Sequence, residues 1–141
     1  MTISLEQANI VTSAALMEGR KLALKPLSVA VLDAGGHLIA FARQDGASTL
    51  RPQIAMGKAG SALALGVSSR TIAQMATDRP TFIASMGSIS PLGVIPAAGG
   101  VLIRDECDRV VGAIGVTGDT SDNDELCALA GIAAIDLVPD R

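Results

Sequence analysis

The 141 residues carry 11 Lys and Arg against 14 Asp and Glu, a formal net charge of −3, with 49% hydrophobic and 18% charged residues. The only aromatic residues are Phe41 and Phe82. With neither a basic stripe for phosphates nor a stacking platform for bases, nucleic-acid binding is excluded as an expectation. No apolar run reaches the roughly 18 residues that a membrane helix takes, so the positive mean hydropathy of +0.45 is expected at subunit interfaces, whose cores are poor in charge. A homo-oligomer follows as an expectation.

The length suits one domain spanning residues 1–141, which needs no metal or disulfide staple. MTISLEQANI at the start has no basic region ahead of a long apolar stretch. Cys107 and Cys127 stand far apart without CxxC spacing. A cytoplasmic protein with reduced thiols is the expectation.

Ser4 and Gln7 form an S-x-x-Q capping box, with Ile3 ahead of it. Leu5, Ala8, Val11, Ala15 and Leu16 then recur at helical spacing, predicting a helix to about Arg20. After Pro26, Leu27–Asp33 and His37–Arg43 read as two strands of a hairpin around Ala34-Gly35-Gly36, where glycine accepts positive φ. Pro52 opens a second helix to about Leu65. Its residues Ala55, Gly57, Ala59, Gly60, Ser61 and Ala62 are small around a single Lys58, so a backbone or a ligand can approach closely. Short helices are predicted from Ser69 to Met75 and from Pro80 to about Ala84, then a long loop from Gly87 to Gly100. Strands follow at Val101–Arg104 and Arg109–Val116. A last helix starts at Ser121, with Leu126, Leu129, Ala130, Ala133 and Leu137 as its expected buried face. Hairpins joined by helices predict an α+β fold with an antiparallel sheet.

Familiar catalytic motifs are missing: Gly112-x-x-Gly115-x-x-Gly118 is not a dinucleotide fingerprint, and one histidine makes a protein-only zinc site a poor expectation. The polar residues at strand ends and loops remain. Val29-Ala-Val-Leu-Asp33-Ala-Gly-Gly-His37-Leu, Ala42-Arg43-Gln-Asp45-Gly46-Ala47 and Ile54-Ala55-x-x-Lys58-Ala59 resemble the GlcG/HbpS-like (DUF336) family. Gly99-Gly100-Val and Gly112-Ala-Ile-Gly-Val-Thr117-Gly118, with Asp124 and Ala128 beyond, extend the resemblance over nearly the whole chain. It implies a profilin-like three-layer α/β/α domain with a five-stranded antiparallel sheet, the fifth strand being expected near Val94. It also implies dimers that assemble into rings or octamers and, in some members, haem binding. Haem-binding members are expected to use first-helix histidines. This chain has none there, Met17 being the nearest soft atom.

His37, the sole imidazole, is therefore the candidate ligand to haem iron, the alternative being a turn histidine bonded to a carboxylate. Lys58 among small residues is a candidate base, or an anchor for a carboxylate or haem propionate, the alternative being a pair with Asp45 or Asp33. Arg43 and Asp45 either serve a substrate or form a surface pair. Thr117 and Gly118 precede a helix and either face an anionic ligand or shape a turn. Three functions stay open. One is a small-ligand-binding protein taking haem or a related tetrapyrrole through His37, Lys58 and Thr117. Another is a small isomerase, lyase or hydratase, with Lys58 or Asp45 moving a proton and Arg43 or Thr117-Gly118 holding a carboxylate. The last is an accessory or scaffold subunit.

Overall fold

The computed structural model of the chain describes residues 1–140. In order, the elements are α1 (Leu5–Lys21), β1 (Ser28–Asp33), β2 (Leu38–Arg43), α2 (Arg51–Leu65), α3 (Ser69–Asp78), α4 (Pro80–Ser85), β3 (Gly100–Arg104), β4 (Val110–Thr117), α5 (Ser121–Ala133) and β5 (Val138–Pro139). The capping box forms as its spacing dictates: Gln7 N–H donates to Ser4 Oγ at 3.1 Å, and Ser4 N–H to Gln7 Oε1 at 3.0 Å. Leu5, counted with the apolar face of α1, is instead 59% exposed, while Ala8, Val11 and Ala15 are buried.

Every strand pairing is antiparallel, in the order β2-β1-β4-β3-β5. The fifth strand is not near Val94 but at Val138–Pro139, paired with Ile103 and Arg104. Val94 lies in the connection that runs over α2, where Ile95 N–H donates to Ser61 Oγ at 2.8 Å rather than to a strand. β5 is held by Asp140, whose N–H donates to the Leu102 carbonyl at 2.9 Å and whose carboxylate takes Arg104 Nε at 2.9 Å. Two residues, one of them proline, leave no periodicity by which to find such a strand.

α1 and α5 pack on one face of the sheet, around Val29, Val31, Ile114 and Val116. α2 covers the other, where Ala59 and Ala62 meet Leu32, Leu102 and Ala113. This is the three-layer α/β/α arrangement. The small residues of α2 serve backbone approach on two sides. Toward the sheet, a Cβ on Gly115 would strike the Ala55 carbonyl and one on Gly100 the Lys58 carbonyl. Toward the connection, a Cβ on Gly60 would stand 2.8 Å from Leu92 and one on Gly57 2.7 Å from Ile95.

The buried face of α5 is Asp124, Cys127, Ala128, Gly131 and Ile132, not the leucine-rich face expected. Of the residues expected there, Leu129 and Leu137 do pack, partly buried, against the core, Leu137 from beyond the helix, while Leu126 is 50% exposed and Ala133 is exposed. Gly131 decides the rotation, because a Cβ there would lie 2.7 Å from the Val11 carbonyl of α1. Helix contact selects the residue without a side chain over the larger leucines.

The same rotation buries Cys127, whose thiol is pushed up to about 11, first by desolvation and then by the charges of Asp124, Glu18 and Asp119. Cys107 is exposed. A thiol reagent is therefore expected to titrate one equivalent in the folded protein and a second only after unfolding. Two equivalents in the folded state would contradict this packing.

Candidate functional site

Asp33 closes β1 and its carboxylate organises the hairpin turn. Oδ1 accepts the N–H groups of Gly35 and His37, each at 2.9 Å, while Asp33 N–H donates to the His37 carbonyl at 2.9 Å. The imidazole folds back over Gly35 and sets Nδ1 3.2 and 3.3 Å from the two Asp33 oxygens. The Asp33 carboxyl is held below its usual range, first by the His37 backbone N–H and then, against the opposing effect of burial, by the His37 ring, Gly35 N–H and the ring hydrogen bond. An ionised Asp33 accepts from Nδ1, and Nε2 has no hydrogen-bond partner among the described residues. The His37 side chain is 81% exposed. It stands on an apolar cleft of about 390 Å³ walled by Gly60, Leu63, Ala64, Pro91 and Leu92.

Lys58 lies elsewhere, in the interior. Its ammonium donates to the Val116 carbonyl at 3.0 Å and to Asp124 Oδ2 at 3.2 Å, and the residue is 2% exposed. The partner is Asp124 of α5, neither Asp45 nor Asp33. Burial pushes Lys58 down and Asp124 up, each against the pull of the other's charge. Gly99 closes the site, since a Cβ there would stand 2.9 Å from Nζ. Thr117 is fully buried, and its Oγ1 accepts from Arg51 Nη1 at 2.7 Å. Gly118 brings backbone against backbone, because a Cβ on it would strike the Pro26 carbonyl. The amides that start α5 find anions within the chain: Asp119 N–H donates to Asp124 Oδ1 at 3.0 Å and Thr120 N–H to Asp119 Oδ1 at 2.9 Å.

Arg43 and Asp45 share a third location, a cleft of about 530 Å³ between the end of α1 and the end of β2. They form no ion pair with each other: Arg43 Nη1 donates to the Ala47 carbonyl at 2.9 Å. The candidate residues thus fall into three places, and His37, Lys58 and Thr117 do not line one pocket. Among the described residues, no group of three or more His, Cys, Asp or Glu could hold a metal ion. No helix is long and apolar enough to cross a membrane among them.

A family model described as "Haem degrading protein HbpS-like" matches residues 3–133. The chain belongs to the HbpS-like family. Among solved structures it is similar to one described as a complex of PduOC with haem, at 20% identity over 100% of both chains and TM-score 0.88. A double mutant of Streptomyces reticuli HbpS matches at 29% identity and TM-score 0.83, over 96% of this chain and 88% of that one. Klebsiella pneumoniae protein ORFY, of DUF336, matches at 24% identity and TM-score 0.85, over 95% and 90%. The PduOC and ORFY likenesses carry the fold alone. No curated protein sequence matches the chain.

Asp33 is the carboxylate of the alternative in which His37 is a turn histidine bonded to one, whereas Leu63 and Leu92 as cleft walls and Arg20 in the cleft of Arg43 are not evident from the sequence. The spacing of Asp33 and His37 around a tight turn was a usable signal. Leu92 had none, because its contact with α2 depends on Gly60 being bare.

Proposed function

We propose that this HbpS-like protein binds haem or a related tetrapyrrole in the cleft beside the β1–β2 turn, with His37 Nε2 as the ligand to iron. One observation carries the reading: the sole imidazole is exposed at an apolar cleft, with Nδ1 engaged by a carboxylate and Nε2 free. Histidine ligands to metals characteristically give their second nitrogen to a carboxylate, which fixes the tautomer and raises the basicity of the other. The residues fit the group. His37 would bind iron, Asp33 would orient the ring, and Leu63, Ala64 and Leu92 would exclude water from one macrocycle face. Haem, when bound, supplies an iron centre whose reactivity these neighbours tune. The family's haem-degrading description supports the reading.

Haem titrated into the protein is expected to give a saturable, red-shifted Soret band that weakens in His37→Ala. Asp33→Asn is expected to lower affinity by about tenfold or more, the usual effect of losing a carboxylate behind a metal-bound histidine. An unchanged spectrum in His37→Ala would overturn the assignment.

The reading includes a homo-oligomer in a reducing, cytoplasmic setting. Leu5, Ile10, Met17 and Leu22 leave apolar surface on α1, and Leu38 and Phe41 do so on the edge strand β2. A second copy covering these side chains would remove both the apolar surface and the open edge. Sedimentation should give a dimer or larger; a monomer at micromolar concentration would contradict this.

A further inference from the structure

We propose that the cleft between the end of α1 and the end of β2 is a second ligand site, for a small organic carboxylate with an apolar body and a hydrogen-bond donor. Its walls include Leu16, Leu24, Pro26 and Ala42, with Arg20, Arg43 and Asp45 around them. Opposite charges that share a cleft normally pair. Here Arg20, Arg43 and Asp45 are all exposed, and among the described residues none of the three makes a salt bridge.

The arms that carry these charges are fixed. Gln44, between Arg43 and Asp45, is locked to Leu27 in both directions: its N–H donates to the Leu27 carbonyl at 2.9 Å, and its Oε1 accepts from Leu27 N–H at 2.7 Å. Arg43 Nη1 is anchored on the Ala47 carbonyl. A guanidinium has five donors, so Arg43 keeps most of its fork free, and no hydrogen bond occupies the Arg20 guanidinium among the described residues. Two such forks match a carboxylate. Asp45 offers acceptors to a hydroxyl or ammonium on the same molecule, and the aliphatic floor takes its hydrocarbon part. The site is separate from the His37 cleft and stands whether or not haem binds there.

Calorimetric titration with leucate, which joins a carboxylate, a hydroxyl and a branched alkyl group, tests it. Saturable one-site binding is expected, absent for isoamyl alcohol and weaker for acetate. Arg20→Gln and Arg43→Gln should each weaken it about tenfold, as losing a charge-assisted hydrogen bond does. Lys21→Gln, which removes a neighbouring charge outside the cleft wall, should leave it unchanged. The Arg20 side chain makes no hydrogen bond among the described residues, so its variant should fold normally. No saturable binding, equal binding of the alcohol, or an equal loss in Lys21→Gln would overturn the proposal.

Discussion

Lys58→Met is expected to destabilise the protein by about 3–5 kcal/mol, the cost of leaving a buried charge without its partner. Asp124 would keep Asp119 N–H but lose the ammonium. Burial already pushes the Asp124 carboxyl up, against the pull of Lys58. Without Lys58, its folded pKa rises further above the unfolded value. A raised folded pKa favours the folded state at low pH, and that gain is lost as pH rises through it. The deficit of Lys58→Met should therefore be smaller at acid pH and grow toward neutrality. Lys58→Met combined with Asp124→Leu should recover much of the loss, since apolar replacement of a whole buried pair is often neutral. Chemical denaturation of the three variants at two pH values measures this. A single variant as stable as wild type would show that Lys58 is not buried with Asp124, and would return it to the candidate catalytic residues.

Gly115→Ala is expected to cost about 3 kcal/mol, the upper range for overpacking a core. The added methyl would strike the Ala55 carbonyl and lie 3.0 Å from Ala59 N, both helix backbone that cannot turn aside. Gly87→Ala, where nothing lies within 4 Å of the new methyl, should stay within about 0.5 kcal/mol as an ordinary surface change. Equal effects would mean that α2 does not rest directly on β4.

These two variants mark how far the sequence could be read. The small residues of α2 stand out in it, and close approach is their evident purpose. That the approaching groups are β4, β3 and the 87–99 connection is a matter of tertiary contact. Lys58 likewise stands out among glycines and alanines, but its partner lies 66 residues away. Neither the nearer Asp33 nor Asp45 competes, because both sit at the sheet's ends. The β1–β2 hairpin is legible because turn chemistry is local, and Asp33, Gly35 and His37 lie within five residues of one another. The face of α5 is legible only in part: Leu129 packs on the core as its spacing suggests, but Gly131 and Cys127, not Leu126, fit the narrow space against α1. β5 was misplaced because its pairing depends on Asp140 rather than on strand periodicity. Of the candidate ligands, His37 alone combines exposure, an orienting carboxylate and an apolar wall.

The central claim is that His37 Nε2 is the ligand-binding atom. With one histidine in the chain, ¹⁵N-histidine labelling gives one imidazole and no assignment problem. In the free protein Nδ1 should carry a proton hydrogen-bonded to Asp33. Adding zinc protoporphyrin should shift the Nε2 resonance strongly while Nδ1 stays protonated on Asp33. Pigment that binds while both ring nitrogens keep their free-protein resonances would contradict the account and move the tetrapyrrole away from this turn.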